Sequence, residues 1–336
     1  MTQANTEIKC NSIAGIGTNH RLTVSTSDQP SALSDPSVVL SYAPPTITGA
    51  TSIPSILQLP AAGSRQITIG GTNFGDGTTV PTVAYGPYTA IGCSVTSAHV
   101  QIKCNNIIGV GANHIISVSI GGQTSAQTTF VASYLAPSIS SVTSSTSLST
   151  SGGTLVTLNG ANFGTAAVAG SVVGVYSAAA APSLFYTTDP CVFVAPADGR
   201  LQCPTIAGVG NALSWTVTIG GQTNSPAFLS AVAYVSPSLS NVISALLNSD
   251  GGDPIVIQGS NFGPATTPNN LIQVVYGPGG NAFTATGCSI TTAQTEVTCT
   301  SMAGAGLGTG LRLTIANLFG TLSSPTPTYN CLSSLL

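Results

Sequence analysis

Apolar and polar residues alternate in four short stretches of the chain, each of which begins shortly after a Gly-x-Gly turn. The residues between the apolar positions are largely Thr, Ser or Arg. Successive side chains of a strand point to opposite faces, so each stretch is predicted to be a β-strand with one buried face. The apolar positions are Leu22 and Val24; Ile116, Val118 and Ile120; Trp215, Val217 and Ile219; and Leu311, Leu313 and Ile315.

A second alternating pattern lies earlier in three of the four copies and ends in Gly-x-Asn-Phe-Gly. Gly and Asn tolerate the positive φ that tight turns need, so the motif predicts a strand, a turn and one aromatic plug. The apolar pairs and their turns are Ile67 and Ile69 before Gly71–Gly75, Val156 and Leu158 before Gly160–Gly164, and Ile255 and Ile257 before Gly259–Gly263.

The cysteines follow the same repeat. Three pairs are separated by 11, 12 and 11 residues, namely Cys93 and Cys104, Cys191 and Cys203, and Cys288 and Cys299. The paired CxxC or CxxH elements of a zinc site are missing from the sequence. We therefore expect one local disulfide per copy rather than buried thiols, and with it an oxidising compartment outside the cytosol. Cys10 and Cys331 have no local partner.

Each copy ends at a tyrosine, and a proline follows the first three tyrosines within three residues. Many short alternating strands with frequent turn signals predict an all-β fold of tandem immunoglobulin-like β-sandwiches. Because the linkers around the prolines are so short, we expect the sandwiches to be arranged as a rod. The predicted segments are a half-domain at 1–43, domains at 44–136, 137–236 and 237–330, and a C-terminal tail at 331–336.

One short segment is assigned to a loop. Ala178–Ala181 is rich in alanine but brief, and Pro182 follows it directly. Proline is unfavourable inside a helix, so no helix is expected there.

These residues resemble the IPT/TIG family, the immunoglobulin-like domains shared by plexins, Rel-type transcription factors and many surface proteins. The family pattern is matched by Pro137-Ser138-Ile139, Gly152-Gly153-Thr154, Gly160, Asn162-Phe163-Gly164, Cys203-Pro204 and Tyr234. The copy that starts at 44 departs at Gly63-Ser64-Arg65, where the second glycine is lost. The resemblance implies an E-set type sandwich, and it leaves the function open because this scaffold serves adhesion, ligand recognition, DNA contact and spacing.

Charge excludes several classes of function. Only 4% of the residues are charged, with 6 Lys+Arg, 9 Asp+Glu and a net charge of -3, whereas ordinary soluble domains carry about 25%. Six cations give no basic patch, so nucleic-acid binding is excluded. No stretch approaches the length of an apolar membrane span, so no membrane insertion of this segment is expected.

Candidate sites have structural interpretations that outweigh the chemical ones. His20 and His114 occupy equivalent repeat positions, and such positions are too far apart for a shared metal. Asp250 and Asp253 flank a double glycine, where a turn is favoured over a Ca²⁺ site. Trp215 occupies a core position rather than a sugar-stacking one. We therefore expect no enzyme, no catalytic residues, no cofactor and no metal.

Hydroxyl side chains dominate the polar residues, with 86 Ser and Thr in the chain. None of the 19 Asn residues stands in an Asn-x-Ser/Thr sequon, so any sugar would be O-linked. Two interpretations stay open. The hydroxyls carry O-linked glycans, or they form a neutral polar surface that replaces charge.

The two ends of the repeat suggest assembly. Aligning Cys10 with Cys299 makes residues 1–43 the second half of a sandwich, whose exposed core invites strand addition by another chain. We expect an extracellular homopolymer in which the tail, with Leu332 and Leu335, docks head to tail on this half-domain and Cys331 bonds to Cys10. The rival interpretations are a segment of a longer tandem array and a fragment of a cell-surface adhesion or receptor ectodomain that binds protein or glycan.

Overall fold

A computed structural model describes residues 6–52, 54–194, 199–243, 246–306, 310–322 and 328–329. The chain divides into two compact units. The first comprises Met1–Ala136 with Ala167–Ala169 and Gly220–Gln222, and the second comprises Pro137–Ala166, Gly170–Ile219 and Thr223–Leu336. The regular structure of the described residues is almost entirely β-strand, with little helix.

The N-terminal half-domain, residues 6–43 of the first unit, contains two small antiparallel ribbons. Strand β1 pairs with β4, and β2 pairs with β3. The strands are β1 (His20–Arg21), β2 (Ser25–Thr26), β3 (Gln29–Pro30) and β4 (Val39–Leu40).

The rest of the first unit holds a complete two-layer sandwich. One sheet has the strand order β5-β6-β10-β9, and the other has β12-β11-β7-β8 with β13 also on β11. The strands are β5 (Thr46–Ser52), β6 (Gln66–Thr72), β7 (Thr82–Tyr85), β8 (Tyr88–Thr89), β9 (Ile91–Ser97), β10 (Gln101–Asn105), β11 (His114–Ile120), β12 (Gln123–Thr124) and β13 (Val131–Ala132).

The next sandwich repeats this topology, with sheets β14-β15-β19-β18 and β17-β16-β20-β21, and with β22 also on β20. Its elements are β14 (Ser138–Ser144), β15 (Leu155–Ala161), α1 (Ala166–Ala169), β16 (Gly174–Ala178), β17 (Ala181–Thr187), β18 (Val192–Phe193), β19 (Arg200–Pro204), β20 (Leu213–Ile219), β21 (Gln222–Thr223) and β22 (Phe228–Leu229).

The last sandwich has sheets β23-β25-β29-β28 and β27-β26-β30-β31, and β24 pairs with β32. The strands are β23 (Ser238–Val242), β24 (Leu246–Leu247), β25 (Pro254–Ser260), β26 (Ile272–Tyr276), β27 (Phe283–Thr284), β28 (Thr286–Thr292), β29 (Glu296–Thr300), β30 (Leu311–Ile315), β31 (Leu318–Leu322) and β32 (Thr328–Tyr329). The 3-10 helices are Asn269–Leu271 and Pro278–Gly280.

The alternating residues of the complete copies form the sandwich cores. Ile69, Val118, Leu158 and Val217 are at most 1% exposed. Each faces the opposite sheet, because burying an apolar side chain contributes roughly 1.5–3 kcal/mol. The predicted all-β class and immunoglobulin-like sandwich architecture are confirmed.

The loop assignment at Ala178–Ala181 is right for Ala179 and Ala180, which form a turn, and wrong for the two residues that flank them. Ala178 is the last residue of β16 and Ala181 is the first of β17, and the two pair across a tight antiparallel hairpin. Pro182 lies within β17, and its ring is tolerated because that strand is at the edge of its sheet.

The Gly-x-Asn-Phe-Gly motif has a steric reason, shown by the copy at Gly71. A Cβ on Gly71 would lie 2.0 Å from the Thr46 carbonyl oxygen of the neighbouring strand and 2.3 Å from Cζ of Phe74. Asn73 adopts φ 63°, and its side-chain amide donates to the Pro44 carbonyl at 2.9 Å. Phe74 is fully buried. The motif thus packs tightly against the start of β5 and places Phe74 in the core.

The departure of the first complete copy from the double-glycine pattern does not change the turn. Ser64 adopts φ 69°, close to the 79° of Gly153 and 88° of Gly252 at the equivalent positions. A serine in this left-handed region costs about 1 kcal/mol relative to glycine. The copy that starts at 44 therefore keeps the same turn conformation, although Ser64 is less favourable there than glycine.

Candidate interaction surface

The structure joins Cys93 to Cys104, Cys191 to Cys203 and Cys288 to Cys299, with S–S distances of 2.05, 2.04 and 2.08 Å. In each sandwich the second cysteine lies on the strand next to the edge of the four-stranded sheet, and its side chain is almost fully buried. Two of the crosslinks tie an edge strand to its sheet, through Cys93 in β9 and Cys288 in β28, and the third starts at Cys191, directly before the edge strand β18.

Cys10, the repeat equivalent of these second cysteines, is exposed and has no disulfide partner among the described residues. Cys331, Leu332 and Leu335 lie outside the described residues. The predicted contact between the C-terminal tail and the half-domain therefore stays a prediction.

The half-domain exposes an apolar face, which we define by Ile8, Leu22, Val24 and Leu40 and call the open face. These side chains are 51%, 42%, 45% and 56% exposed. In the complete copy that follows, the equivalents of the first three are among the most buried residues of the core, at 0%, 1% and 0% for Ile102, Ile116 and Val118. The open face thus presents core positions of a sandwich to solvent.

A groove of about 850 Å³ lies beside Leu22 and Leu40 of this face. Tyr42 at one end is positioned by the rest of the half-domain, because its hydroxyl donates to the Ile13 carbonyl at 3.0 Å. Its ring also covers Gly15, where a Cβ would lie 2.5 Å from the tyrosine Cζ. The groove is lined by Cys10, Asn11, Ser12, Ile13, Ala14, Gly15, Ile16, His20, Leu22, Leu40, Ser41 and Tyr42.

The equivalent tyrosines of the complete sandwiches show what normally lies opposite Tyr42. Tyr134 hydrogen-bonds to the hydroxyl of Tyr85 at 3.1 Å, and Tyr234 to that of Tyr176 at 2.7 Å. Burial raises the pKa of Tyr176 to about 12 and raises the pKa of Tyr85 as well. Both tyrosines of each pair thus stay protonated and lie buried at the edge of the core. Among the described residues, Tyr42 keeps the hydrogen bond to a backbone carbonyl but has no tyrosine hydroxyl opposite it.

The two equivalent histidines have local structural contacts. The Nε2 atom of His20 lies 2.9 Å from the Ile16 carbonyl, and that of His114 lies 3.0 Å from the Val110 carbonyl. Each ring therefore braces the Gly-x-Gly turn four residues before it.

Asp253 stabilises the turn that contains the double glycine. Its carboxylate accepts hydrogen bonds from the backbone and side-chain nitrogens of Asn248, at 2.5 and 3.0 Å. Trp215 is fully buried and stacks on Tyr176 with ring centroids 4.2 Å apart, so this indole belongs to the core.

A joint between the half-domain and the following sandwich was not anticipated from the sequence. The side-chain amide of Gln123 donates to the Tyr42 carbonyl at 2.8 Å, and its oxygen accepts from the Gly17 backbone N–H at 3.2 Å. The sequence does contain an indication of this joint. The tetrapeptide Gly121-Gly122-Gln123-Thr124 recurs unchanged as Gly220-Gly221-Gln222-Thr223.

The second unit contains a related joint between its two sandwiches. The hairpin residue Ala316 is 2% exposed, and a Cβ on Gly210 would lie 3.4 Å from the Ala316 Cβ. Val209, the middle residue of that Gly-x-Gly turn, packs into the core of the last sandwich with Phe262. In both joints the hairpin of the following sandwich sits on the Gly-x-Gly turn of the preceding copy.

The described ranges contain neither a cluster of metal-binding side chains nor a membrane-spanning helix. Within them, no three His, Cys, Asp or Glu side chains come together as a metal site would require. In the same residues no helix has the length and apolar character needed to cross a membrane.

Comparison with known families gives a match over more than half of the chain. The model of the IPT/TIG domain matches residues 45–132 and 137–231. No curated protein matches the sequence.

Solved structures similar to the chain include the following two proteins. The plexin A4 extracellular region is 18% identical, with a TM-score of 0.25, and the match covers 85% of this chain and 24% of that one. A surface glycan-binding protein from Prevotella bryantii is 12% identical, with a TM-score of 0.36 and coverage of 71% and 59%. The chain therefore spans less than two thirds of the length of either.

Proposed function

The chain belongs to the IPT/TIG domain family, and from this premise we propose that it is a non-enzymatic structural subunit of an extracellular filament or surface layer. The observation that carries the proposal is the open face of the half-domain. Three core positions that are at most 1% exposed in the following copy are 42–51% exposed there. Apolar surface of this kind is covered in a stable assembly, since its exposure to water is unfavourable.

The covering segment belongs to another copy of the chain. Its C-terminal tail, residues 331–336, adds as a strand against the open face, with Leu332 and Leu335 on the apolar side. Cys10 lies in the groove. Thiol–disulfide exchange with a small disulfide of the oxidising compartment then joins Cys331 to Cys10, and the small disulfide takes up the two electrons and two protons as free thiols. Because the two contacting surfaces differ, the contact repeats from copy to copy without closing and produces a filament.

The three disulfides support an extracellular or cell-surface location, since such bonds persist in oxidising compartments. The low charge is compatible with close packing of identical copies because long-range repulsion between them is weak. We extend the proposal to O-linked glycans on exposed Ser and Thr. Intact mass measurement of native material tests this, and a mass equal to the 33.3 kDa of the polypeptide would contradict it.

Assembly is tested with the full chain by negative-stain microscopy and sedimentation velocity. We expect filaments, together with inter-chain disulfides on a non-reducing gel. Leu22→Asp places a charge in the open face and should abolish assembly. Val80→Asp, at a side chain 75% exposed in a loop, serves as the matched control and should assemble normally.

The alternative is an adhesion or receptor ectodomain that binds a protein or glycan ligand. A chain that stays monomeric at all concentrations and binds such a ligand saturably would overturn the filament proposal in favour of this one.

A further inference from the structure

A second candidate binding surface lies on the last sandwich, on the outer side of the sheet β27-β26-β30-β31. We propose that a groove of about 550 Å³ on this side binds a neutral oligosaccharide. Its volume lies within the range of small-molecule sites. We call it the amide groove and define it by the polar side chains that line it, Asn270, Gln273, Thr284, Thr314 and Asn317. Binding there does not require the proposed filament, because the amide groove and the open face share no residue.

The floor of the amide groove is formed by the middle strands of the sheet. Gln273 of β26 and Thr314 of β30 are directly paired. Their chain neighbours Val274 and Leu313 are fully buried in the core. Because side chains alternate between the two faces of a sheet, Gln273 and Thr314 point together to the outer side.

The walls of the amide groove come from three other segments. The Ala316 N–H, in the β30–β31 hairpin, donates to the Leu271 carbonyl at 2.9 Å. This bond holds the hairpin against the 3-10 helix, so Asn317 of the hairpin and Asn270 of the helix both line the groove. Ala180, from the β16–β17 hairpin of the preceding sandwich, lines it as well. The groove is therefore built from fixed elements of one compact unit.

The five side chains that define the amide groove have unused hydrogen-bonding groups. None of them has a hydrogen-bond partner among the residues that the structure describes. Each side-chain amide offers two donors and one acceptor, and each hydroxyl offers one donor and two acceptors. A ligand rich in hydroxyl groups can use donors and acceptors of both kinds.

The free hydroxyl of Thr314 is specific to the last sandwich. Thr314 is directly paired with Phe319 of β31, which is 61% exposed. The two earlier sandwiches have hydrogen-bonded hydroxyls at these positions, Ser119 with Thr124 at 2.8 Å and Thr218 with Thr223 at 2.7 Å. Phe319 thus takes a hydrogen-bond partner away from Thr314 and places an aromatic ring beside the groove, where exposure to water is unfavourable.

The amide of Asn317 is a second change of this kind. The equivalent hairpin residues of the earlier sandwiches are Gly122 and Gly221. The φ of Asn317 is 67°, close to the 74° and 76° of these glycines, and this left-handed backbone is unfavourable for any residue with a Cβ. Backbone strain of this sort is concentrated at functional sites. The last sandwich therefore carries two locally unfavourable residues, both at the groove.

The chemistry of the lining selects a neutral sugar over other ligands. No residue that lines the groove is charged, so neither a nucleic acid nor an acidic sugar finds a counter-charge there. Strand β30 is paired along both sides, so its backbone is not free to add a peptide strand. A sugar ring presents hydroxyls at its edge, which suit the amides. It also presents C–H groups on its face, which stack on the electron-rich face of Phe319.

Binding is tested by applying the full-length chain to an array of immobilised oligosaccharides. The array carries fragments of neutral polysaccharides, O-linked glycans and acidic oligosaccharides. We expect binding to neutral sugars, and the spots that bind distinguish a polysaccharide from an O-linked glycan as the source. Binding to acidic sugars alone, or to no sugar on the array, would overturn the inference.

Substitution towards the earlier sandwiches tests the assigned groove. Phe319→Thr restores the hydroxyl pair with Thr314 and should weaken binding of the best array sugar about tenfold or more, measured by isothermal titration calorimetry. Asn317→Gly should also weaken binding, whereas the thermal unfolding midpoint should stay the same or rise, because glycine suits this backbone. A purely structural role of Asn317 would not separate these two readouts.

The matched control is Phe185→Thr, at a phenylalanine of β17 that is 65% exposed. It should bind the sugar like the unsubstituted chain. Unchanged affinity in both groove variants, or an equal loss in the control, would contradict the assignment of the groove.

The outcomes separate this inference from the proposed function. Filaments that bind no neutral sugar would overturn the amide groove and leave the filament proposal standing. A chain that stays monomeric and binds sugar through Phe319 would support the groove and overturn the filament proposal.

Discussion

Gln294 and Thr150 exchange two hydrogen bonds between the sandwiches of the second unit, although 144 residues separate them in sequence. The Thr150 hydroxyl donates to the Gln294 side-chain oxygen at 2.5 Å, and the Gln294 amide donates to the Thr150 carbonyl at 2.9 Å. The same oxygen accepts from the Gly263 N–H at 3.2 Å. One side chain therefore connects a turn of the preceding sandwich to the Gly-x-Asn-Phe-Gly turn of its own sandwich.

Gln294→Ala should loosen this junction. The change leaves the Gly263 N–H and the Thr150 hydroxyl without the oxygen that accepts from them, at a cost of about 2–3 kcal/mol. Hydrogen exchange followed by mass spectrometry should show faster exchange over residues 259–263. Gln273→Ala, at an exposed residue of β26, is the control, and equal exchange in the two variants would contradict the assigned role.

Gly71→Ala should destabilise the first complete sandwich by about 3 kcal/mol, because a Cβ 2.0 Å from the Thr46 carbonyl forces β5 and β6 apart. Gly49→Ala on the paired strand is the matched control. Its Cβ would have no atom within 4 Å, so the free energy of unfolding should change by less than about 0.5 kcal/mol. Denaturant titration of both variants checks the difference, and similar midpoints would refute the steric account.

The buried tyrosine pair predicts loss of stability in strong alkali. Burial raises the pKa of Tyr176 from 10.0 to about 12 and raises that of Tyr234 as well. The folded state therefore favours the protonated form. The stabilisation is complete below pH 10 and is lost as the pH rises towards 12, which is roughly 3 kcal/mol for Tyr176.

Absorbance of tyrosinate and circular dichroism, recorded together against pH, test this prediction. Part of the tyrosinate signal should appear only as the β-sheet signal disappears. Ionisation of all nine tyrosines near pH 10 in a chain that stays folded would show that the hydroxyls are accessible to base.

The double variant Cys191→Ser, Cys203→Ser should lower the stability of its sandwich by about 3 kcal/mol, since the disulfide closes a loop of 12 residues. Gln127→Ala, at an exposed residue of the first complete sandwich, should leave the unfolding midpoint unchanged. Thermal unfolding without reductant compares the two. A double variant as stable as the unsubstituted chain would mean that the strand pairing of β19 suffices.

The local alternation of apolar and polar residues predicts much of this fold. The period-two alternation at Ile116, Val118 and Ile120 determines a half-buried strand wherever that strand lies, because side chains alternate between its faces. Closely spaced cysteines on neighbouring strands, such as Cys93 and Cys104, can reach only each other within a copy. Sequence by itself thus determined the all-β class, the family and the strands of each copy.

Tertiary structure decided the contacts between copies and the details that break the pattern. Gln123 and Gly17 are 106 residues apart, and no periodicity relates them. The strand β16, which ends at Ala178, pairs with β17 on one side and with β20 on the other, and the residues of the hairpin alone do not indicate the second pairing. The exposure of Leu22 and Val24 depends on which strands cover them, so the same alternation gives a core in one copy and an open face in another.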